Sequence, residues 1–241
     1  MQQAAVKKRA HAPSIRLITA LCLLWVSFWA GTAWAATVIT NAMIVDGTGS
    51  PRYPGGVRIE GDRIQAVGEV IPGDSDTVID AGGLVLAPGF IDTHSHADGL
   101  ILQQPAALAK ISQGITTVVV GQDGSSPFPL ADFFGALEAA PAAVNVAAYA
   151  GHNTLRSRVM KENFQRPASP AEMQEMSSLL RSELAAGALG LSTGLEYEPG
   201  IHSERSEVLL LAQEAARQGG RYISHIPVSY THLTLPTNRE V

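Results

Sequence analysis

The sequence predicts an α/β fold: the first five strands of a (β/α)8 TIM barrel, preceded by part of a small β-sandwich. Residues 37–86 contain short runs of apolar or alternating residues, with turn signals such as Gly61-Asp62 between them. From residue 87 onwards, strand-like runs alternate with helical patterns, as in a parallel sheet with crossover helices. The first of these strands ends in His94-Ser95-His96 rather than in a glycine-rich nucleotide-binding turn, which favours the barrel.

The composition restricts the class of protein. Of the 241 residues, 46% are hydrophobic, which is ordinary for a globular chain and too apolar for a disordered one. The chain has 22 acidic and 17 basic residues, a net charge of −5, and this balance argues against a nucleic-acid partner. The single cysteine excludes a disulfide framework and a cysteine-rich zinc ribbon, so a metal site would have to use histidine and carboxylate ligands.

Residues 1–35 are predicted to be a signal peptide. A basic segment at residues 7–16 precedes an apolar run at 17–30 and the cleavage pattern Ala33-Trp34-Ala35. The apolar run is short for a transmembrane span of about 20 residues, although an uncleaved anchor remains the alternative. Cleavage after Ala35 would yield a periplasmic or secreted protein with no stable membrane anchor.

Residues 227–241 are predicted to be a foreign tail. The alternation of strands and helices stops after Ile226, and the last residues resemble the translation of adapter DNA at the end of a sequencing read. A genuine, irregular C-terminal strand is the alternative. We therefore expect a β-sandwich portion at residues 36–86 and a truncated barrel at residues 87–226.

The barrel portion is predicted to alternate strands and helices throughout. A buried strand is expected at residues 84–91, interrupted by Pro88-Gly89, and the β-branched run at 115–120 is typical of a buried parallel strand. Further strands are predicted at residues 144–150, 188–192 and 222–225, and helices at residues 105–113, 130–139, 170–187 and 203–217.

One of these helices has two separate start signals. Ser169 and Glu172 have the spacing of a capping box, and Pro170 occupies the first helical position. Apolar residues then recur at helical spacing, and we expect them to face the core: Met173, Met176, Leu180 and Leu184.

His94 and His96 are the strongest candidates for a metal site. Residues two apart on a strand point to the same side, so both imidazoles would point into the barrel. They lie at the carboxyl end of the strand, where barrel active sites are found. Two neutral imidazoles at this spacing can bind Zn²⁺.

The sequence around these histidines resembles a known family. Residues 87–96 are similar to the signature of the amidohydrolase superfamily, and residues 114–121, 151–156, 187–200 and 222–226 resemble the D-aminoacylases (N-acyl-D-amino-acid deacylases). The resemblance implies a hydrolase with one or two Zn²⁺ ions that cleaves the linear amide bond of small N-acyl-D-amino acids. It departs from the family where a cysteine ligand is common, because Asp123 stands there.

The resemblance and the strand ends together give a set of candidate residues. His225, at the end of the fifth predicted strand, joins His94 and His96 as an expected metal ligand, while Glu196 and Asp123 remain alternative bridging carboxylates. Tyr197 is expected to donate to the developing oxyanion. His152 is expected to face the substrate or to support the site, with a purely structural hydrogen bond as the equal alternative. Arg156 is expected to pair with a substrate carboxylate, with a surface ion pair as the alternative.

Two other readings stay open. Cyclic amidases and dipeptidases of the same superfamily usually offer a bridging lysine on the fourth strand, and residues 189–199 contain none. A partial barrel with no catalytic activity is the other reading. Because the general base and a further metal ligand are expected on later strands, we predict that the truncated chain is inactive. The oligomeric state is left open.

Overall fold

The structure is a computed structural model that describes residues 35–225. The predicted signal peptide, apart from Ala35, and the predicted tail at residues 227–241 lie outside the described residues. The described chain forms two compact units, divided between Pro88 and Gly89. None of the helices in the described part is long and apolar enough to cross a membrane.

The N-terminal unit contains one mixed sheet. Its strands are β1 (Thr37–Ile44), β2 (Tyr53–Glu60), β3 (Arg63–Gly68), β4 (Thr77–Asp80) and β5 (Val85–Leu86). The order is β3-β2-β1-β4, with β5 also pairing with β1. The β1–β2 and β2–β3 pairs are antiparallel, whereas β4 and β5 run parallel to β1. The described residues of this unit therefore form a single sheet, and the prediction that it is part of a β-sandwich stays a prediction.

Asp76 connects the first two strands of this unit. Its carboxylate accepts hydrogen bonds from Arg58 on β2 and from the backbone N–H groups of Gly73 and Ala36. The hydrogen bond from Arg58 is the main cause that lowers the pKa of Asp76 to about 2. The carboxylate therefore stays ionised at neutral pH and fixes the start of β1.

The C-terminal unit is built on parallel strands in chain order. They are β6 (Phe90–Asp92), β7 (Ile115–Val120), β8 (Asn145–Ala148), β9 (Ala150–Gly151), β10 (Gly190–Gly194) and β11 (Arg221–His225). β6, β7 and β8 pair in parallel, as do β9, β10 and β11. Tyr149 alone separates β8 from β9, so the strand predicted at residues 144–150 is present in two short pieces.

Helices separate most of these strands. They are α1 (Leu108–Ile111), α2 (Leu130–Ala139), α3 (His152–Met160), α4 (Pro170–Ala185) and α5 (Arg205–Arg217). The capping box at the start of α4 is confirmed, with Ser169 and Glu172 bonded to each other's backbone N–H groups. α1 is shorter than predicted, and α3 was not predicted. α5 starts after Glu204 rather than Ser203, because the Ser203 hydroxyl donates to Gly200 O at 2.6 Å instead.

The core of the C-terminal unit lies between α4, α5 and the strands. Met176 and Leu180 are fully buried, and Met173 and Leu184 pack against the same core, which confirms the predicted apolar face of α4. The prediction of a buried first strand is wrong for β6. Its Phe90 is 63% exposed, because β7 is the neighbour of β6 on one side and no described strand covers the other.

Candidate metal centre

Three predicted residues converge beyond the ends of β6 and β7. The Nε2 atoms of His94 and His96 each lie 3.1 Å from Oδ2 of Asp123. The three atoms lie within 4.8 Å of one another, and within residues 35–225 this is the only such group of metal-ligating side chains. Ligands about 2.1 Å from a tetrahedral zinc ion are roughly 3.4 Å apart. The nitrogen and oxygen donors therefore suit a zinc ion in both type and spacing.

The two histidines are presented by the segment that follows β6. Ser95 between them is buried, and its backbone N–H donates to Val119 O of β7 at 3.0 Å. Ser95 is thus buried, while the two imidazoles are more than half exposed and lie on one side. Their ring centroids are 5.4 Å apart.

Asp123 depends on an unusual backbone turn. Its φ is +54°, and the flanking Gly121 and Gly124 have φ values of +72° and +80°. Aspartate is one of the few residue types, apart from glycine, that tolerate this left-handed region. A Cβ on Gly121 would lie 2.1 Å from Tyr149 O, so this position requires glycine. The turn carries the Asp123 carboxylate back towards the end of β6.

His225 lies on the other side of the same carboxylate. Its Nδ1 is 3.4 Å from Asp123 Oδ1, and its Nε2 is 2.6 Å from Glu196 Oε1. The two oxygens of Asp123 thus face different histidines: Oδ2 faces His94 and His96, and Oδ1 faces His225. Glu196 contacts His225 and does not join the group formed by the first two histidines.

Tyr197 completes this side of the site. Its hydroxyl lies 3.3 Å from Nε2 of His225. Desolvation, followed by the negative charges of Glu196 and Asp123, raises the pKa of the Tyr197 hydroxyl above its usual value. The phenol therefore keeps its proton at neutral pH and is available as a hydrogen-bond donor.

His152 and Arg156 lie apart from this cluster, buried on α3. His152 Nε2 is 2.7 Å from Glu207 Oε1 of α5, and an Arg156 nitrogen donates to the other oxygen of Glu207. The second terminal nitrogen of Arg156 donates to three backbone carbonyls, those of Phe164, Arg166 and His202. Because Arg156 is completely buried and both ends of its fork are used, the geometry argues against the predicted pairing with a substrate carboxylate.

Glu207 is a partner that the sequence did not reveal. Burial, the largest single effect, would raise its pKa, but the hydrogen bonds from His152 and Arg156 outweigh it and lower the pKa. Glu207 is therefore an ionised carboxylate that is 1% exposed. Its spacing of four from the buried Leu211, and of eight from the buried Ala215, was a usable signal, since it places Glu207 on the inward face of α5.

Two buried amides were also missed. Gln122 donates through Nε2 to Thr93 O and Val119 O, both at 3.0 Å. Asn153 donates to Gly194 O at 3.2 Å. Single amide side chains leave no periodic pattern in a sequence, so no signal could have identified them.

Comparisons with known proteins show which family and which solved structures the chain is similar to. Residues 77–226 match the model of the amidohydrolase family. The chain is 42% identical over 211 residues to an N-acyl-D-glutamate deacylase of Alcaligenes xylosoxydans xylosoxydans, an alignment that covers 78% of this chain and 43% of that protein.

Solved structures of related enzymes match as well. An N-acyl-D-glutamate deacylase from Bordetella bronchiseptica, complexed with zinc and a phosphonate mimic of the tetrahedral intermediate, matches with a TM-score of 0.75 and 38% identity, covering 80% of this chain and 45% of that one. A D-aminoacylase studied for its binuclear metal centre matches with a TM-score of 0.75 and 35% identity, covering 85% and 49%. The chain thus spans less than half the length of these relatives.

Proposed function

Because the chain belongs to the amidohydrolase family, we propose that the whole protein is a zinc-dependent hydrolase of the amide bond of N-acyl-D-amino acids. The observation that carries the proposal is the convergence of His94 and His96 on one oxygen of Asp123. The deacylase and D-aminoacylase relatives supply the substrate class. The substrate is a small molecule, an N-acyl amino acid.

We assign the ligands from the spacing of their donor atoms. His94, His96, Asp123 and His225 would hold one or two Zn²⁺ ions, and Asp123 is the carboxylate that both sides of the site share. Asp123 is favoured over Glu196 because its two oxygens face the two groups of histidines. Bound zinc would supply Lewis-acid chemistry for the attack of water on the amide carbonyl.

Glu196 acts on His225 rather than on the metal directly. Its carboxylate, 2.6 Å from Nε2, accepts the proton that the imidazole carries there. The Nδ1 atom, which faces Asp123, is then unprotonated and has the free lone pair that a metal ligand requires. Carboxylates that bond the second nitrogen of a ligating histidine fix its tautomer and orientation in this way.

Tyr197 stabilises negative charge during the reaction. Its protonated hydroxyl lies beside His225 and donates a hydrogen bond to the oxyanion that develops on the acyl carbonyl. His152 and Arg156 hold α3 to α5 through Glu207. Their predicted contacts with the substrate stay predictions.

We further propose that the parallel strands β6 to β11, with β8 and β9 as two pieces of one strand, are the first five strands of a (β/α)8 barrel. Their parallel pairing in chain order and the TM-scores to the deacylase structures support this. Because the chain spans less than half the length of its relatives, we expect turnover only from a polypeptide that also supplies the remaining length.

The test is an assay of amino acid released from N-acetyl-D- and N-acetyl-L-amino acids by the whole protein. We expect turnover of D-substrates only, and loss of bound zinc in His94→Ala, measured by elemental analysis. His202→Ala is the control, since this histidine faces Glu198 at 3.5 Å and not the metal centre. A preference for L-substrates would contradict the substrate class, whereas unchanged zinc content in His94→Ala would contradict the metal centre.

A further inference from the structure

We propose that Gln122 is a positioning residue that sets the distance between the first two histidines and Asp123. Its Nε2 donates to Thr93 O and to Val119 O, both at 3.0 Å. Thr93 directly precedes His94, and Gln122 directly precedes Asp123. One amide group therefore joins the two chain segments that carry the converging ligands.

The burial of Gln122 makes this connection rigid. The residue is 1% exposed, so water does not compete readily for its two hydrogen bonds. A buried donor that loses its acceptors costs free energy, which favours the one arrangement in which both carbonyls are reached. The buried amide thus fixes the position of the turn relative to the end of β6.

The backbone of the turn needs such a connection. In the sequence Gly121-Gln122-Asp123-Gly124, every residue except Gln122 has a positive φ. Glycine is flexible at such positions, and aspartate tolerates the left-handed region at some cost in free energy, which its surroundings must offset. Gln122 is the residue of the turn whose buried side chain bonds the backbone of the neighbouring segment, so it fixes the turn independently of the metal ligands.

The Ser95 amide reports on the same junction without any metal. It donates to Val119 O at 3.0 Å, the carbonyl that Gln122 also uses. If Gln122 holds the two segments together, removing its amide will let the junction open and the Ser95 N–H exchange with solvent. The Ser95 exchange rate does not depend on the proposed function. The zinc affinity is informative only if the proposed metal centre is correct.

The experiment compares Gln122→Met with two control variants in the 241-residue chain. Methionine keeps the length and volume of the side chain but donates no hydrogen bond. Gln113→Met is the matched control, because this exposed glutamine also donates to a backbone carbonyl, Ala109 O at 2.6 Å, before the start of β7. Leu180→Ala removes fully buried apolar atoms from α4 and tests for a general loss of stability.

Two quantities are measured: amide hydrogen exchange without metal, and zinc affinity by competition with a chelator. In Gln122→Met we expect Ser95 exchange to rise at least about tenfold relative to the α4 amides, and the zinc Kd to rise by about 10–100-fold. Gln122→Asn, one methylene shorter, should show the same changes if Gln122→Met folds poorly. Gln113→Met should keep both the exchange ratio and the zinc Kd of the unaltered chain. Leu180→Ala should keep the zinc Kd, while exchange of the α4 amides themselves rises.

An unchanged Ser95 exchange ratio in both Gln122 variants would overturn the proposal. So would a rise in zinc Kd in Leu180→Ala as large as that in Gln122→Met, since the effect would then be one of stability. A chain that binds no zinc in any form would contradict the proposed metal centre, and the exchange ratio would still decide the role of Gln122.

Discussion

Replacing Glu207 with alanine should destabilise the C-terminal unit more than any exposed substitution on the same helix. The Glu207 carboxylate bonds His152 and Arg156, and all three side chains are at most 1% exposed. Its loss leaves a buried guanidinium without its counter-charge, and breaking a buried pair in this way costs about 3–5 kcal/mol. Proteins of this kind have a total stability of about 5–15 kcal/mol, so the fraction lost is large.

Urea unfolding followed by circular dichroism measures this loss. Gln213→Ala is the control, because it changes an exposed residue on α5 and should alter the free energy of unfolding by no more than about 0.5 kcal/mol. Arg156→Ala removes the other side of the pair. The double variant should therefore cost less than the sum of the two single variants, with a coupling of about 0.5–3 kcal/mol.

The pH dependence provides a second test of the same pair. Because the folded-state pKa of Glu207 is lowered, its contribution is fully present above the unfolded value near 4.5 and is lost as the pH falls through the folded value. The difference between the unaltered chain and Glu207→Ala should thus shrink in acid. A difference of less than about 1 kcal/mol at pH 7, or strict additivity with Arg156→Ala, would refute the buried pair as a unit.

Four further predictions concern other parts of the chain. Ser169→Ala removes a cap of α4 and should cost about 1 kcal/mol in thermal unfolding. Gly190→Ala should cost about 3 kcal/mol or more, since its Cβ would lie 1.8 Å from a backbone oxygen of β11, whereas Gly99→Ala has open space and should be nearly neutral. Asp123→Asn should lower zinc affinity in chelator competition, and equal affinity would contradict its role as a ligand. Mass spectrometry of exported protein should give an N-terminus at Ala36, and a retained Met1 would contradict the signal peptide.

Local rules were sufficient for much of the secondary structure. The capping box at Ser169, the apolar face of α4 and the strand at residues 115–120 depend on residues that are neighbours in the sequence. Periodicity and hydrogen-bonding capacity within one or two turns determine such features, so the sequence predicts them. The weakly patterned helix α3 was missed because its inward face is polar, with His152, Asn153 and Arg156 buried.

The sequence also identified the residue types of the candidate site. His94 and His96 were recognisable from their spacing of two, and Asp123, Glu196 and His225 from strand ends and from the family resemblance. Which carboxylate meets which histidine was not predictable. Glu196 and Asp123 are equivalent as patterns, and the left-handed turn at Asp123 is what brings its carboxylate to the first two histidines.

Burial decided the remaining roles. From the sequence, Arg156 was predicted to be free to bind a substrate carboxylate. In the structure, the packing of α3 against the turn before α5 buries it. Its partner Glu207 lies 51 residues further along the chain. Gln122 has no distinguishing mark in the sequence, yet it joins segments 29 residues apart. Local patterns in the sequence specify which side chains are present on each element. Long-range packing determines the partner of each buried charge and amide, because a buried polar group requires a hydrogen-bond partner wherever the fold provides one.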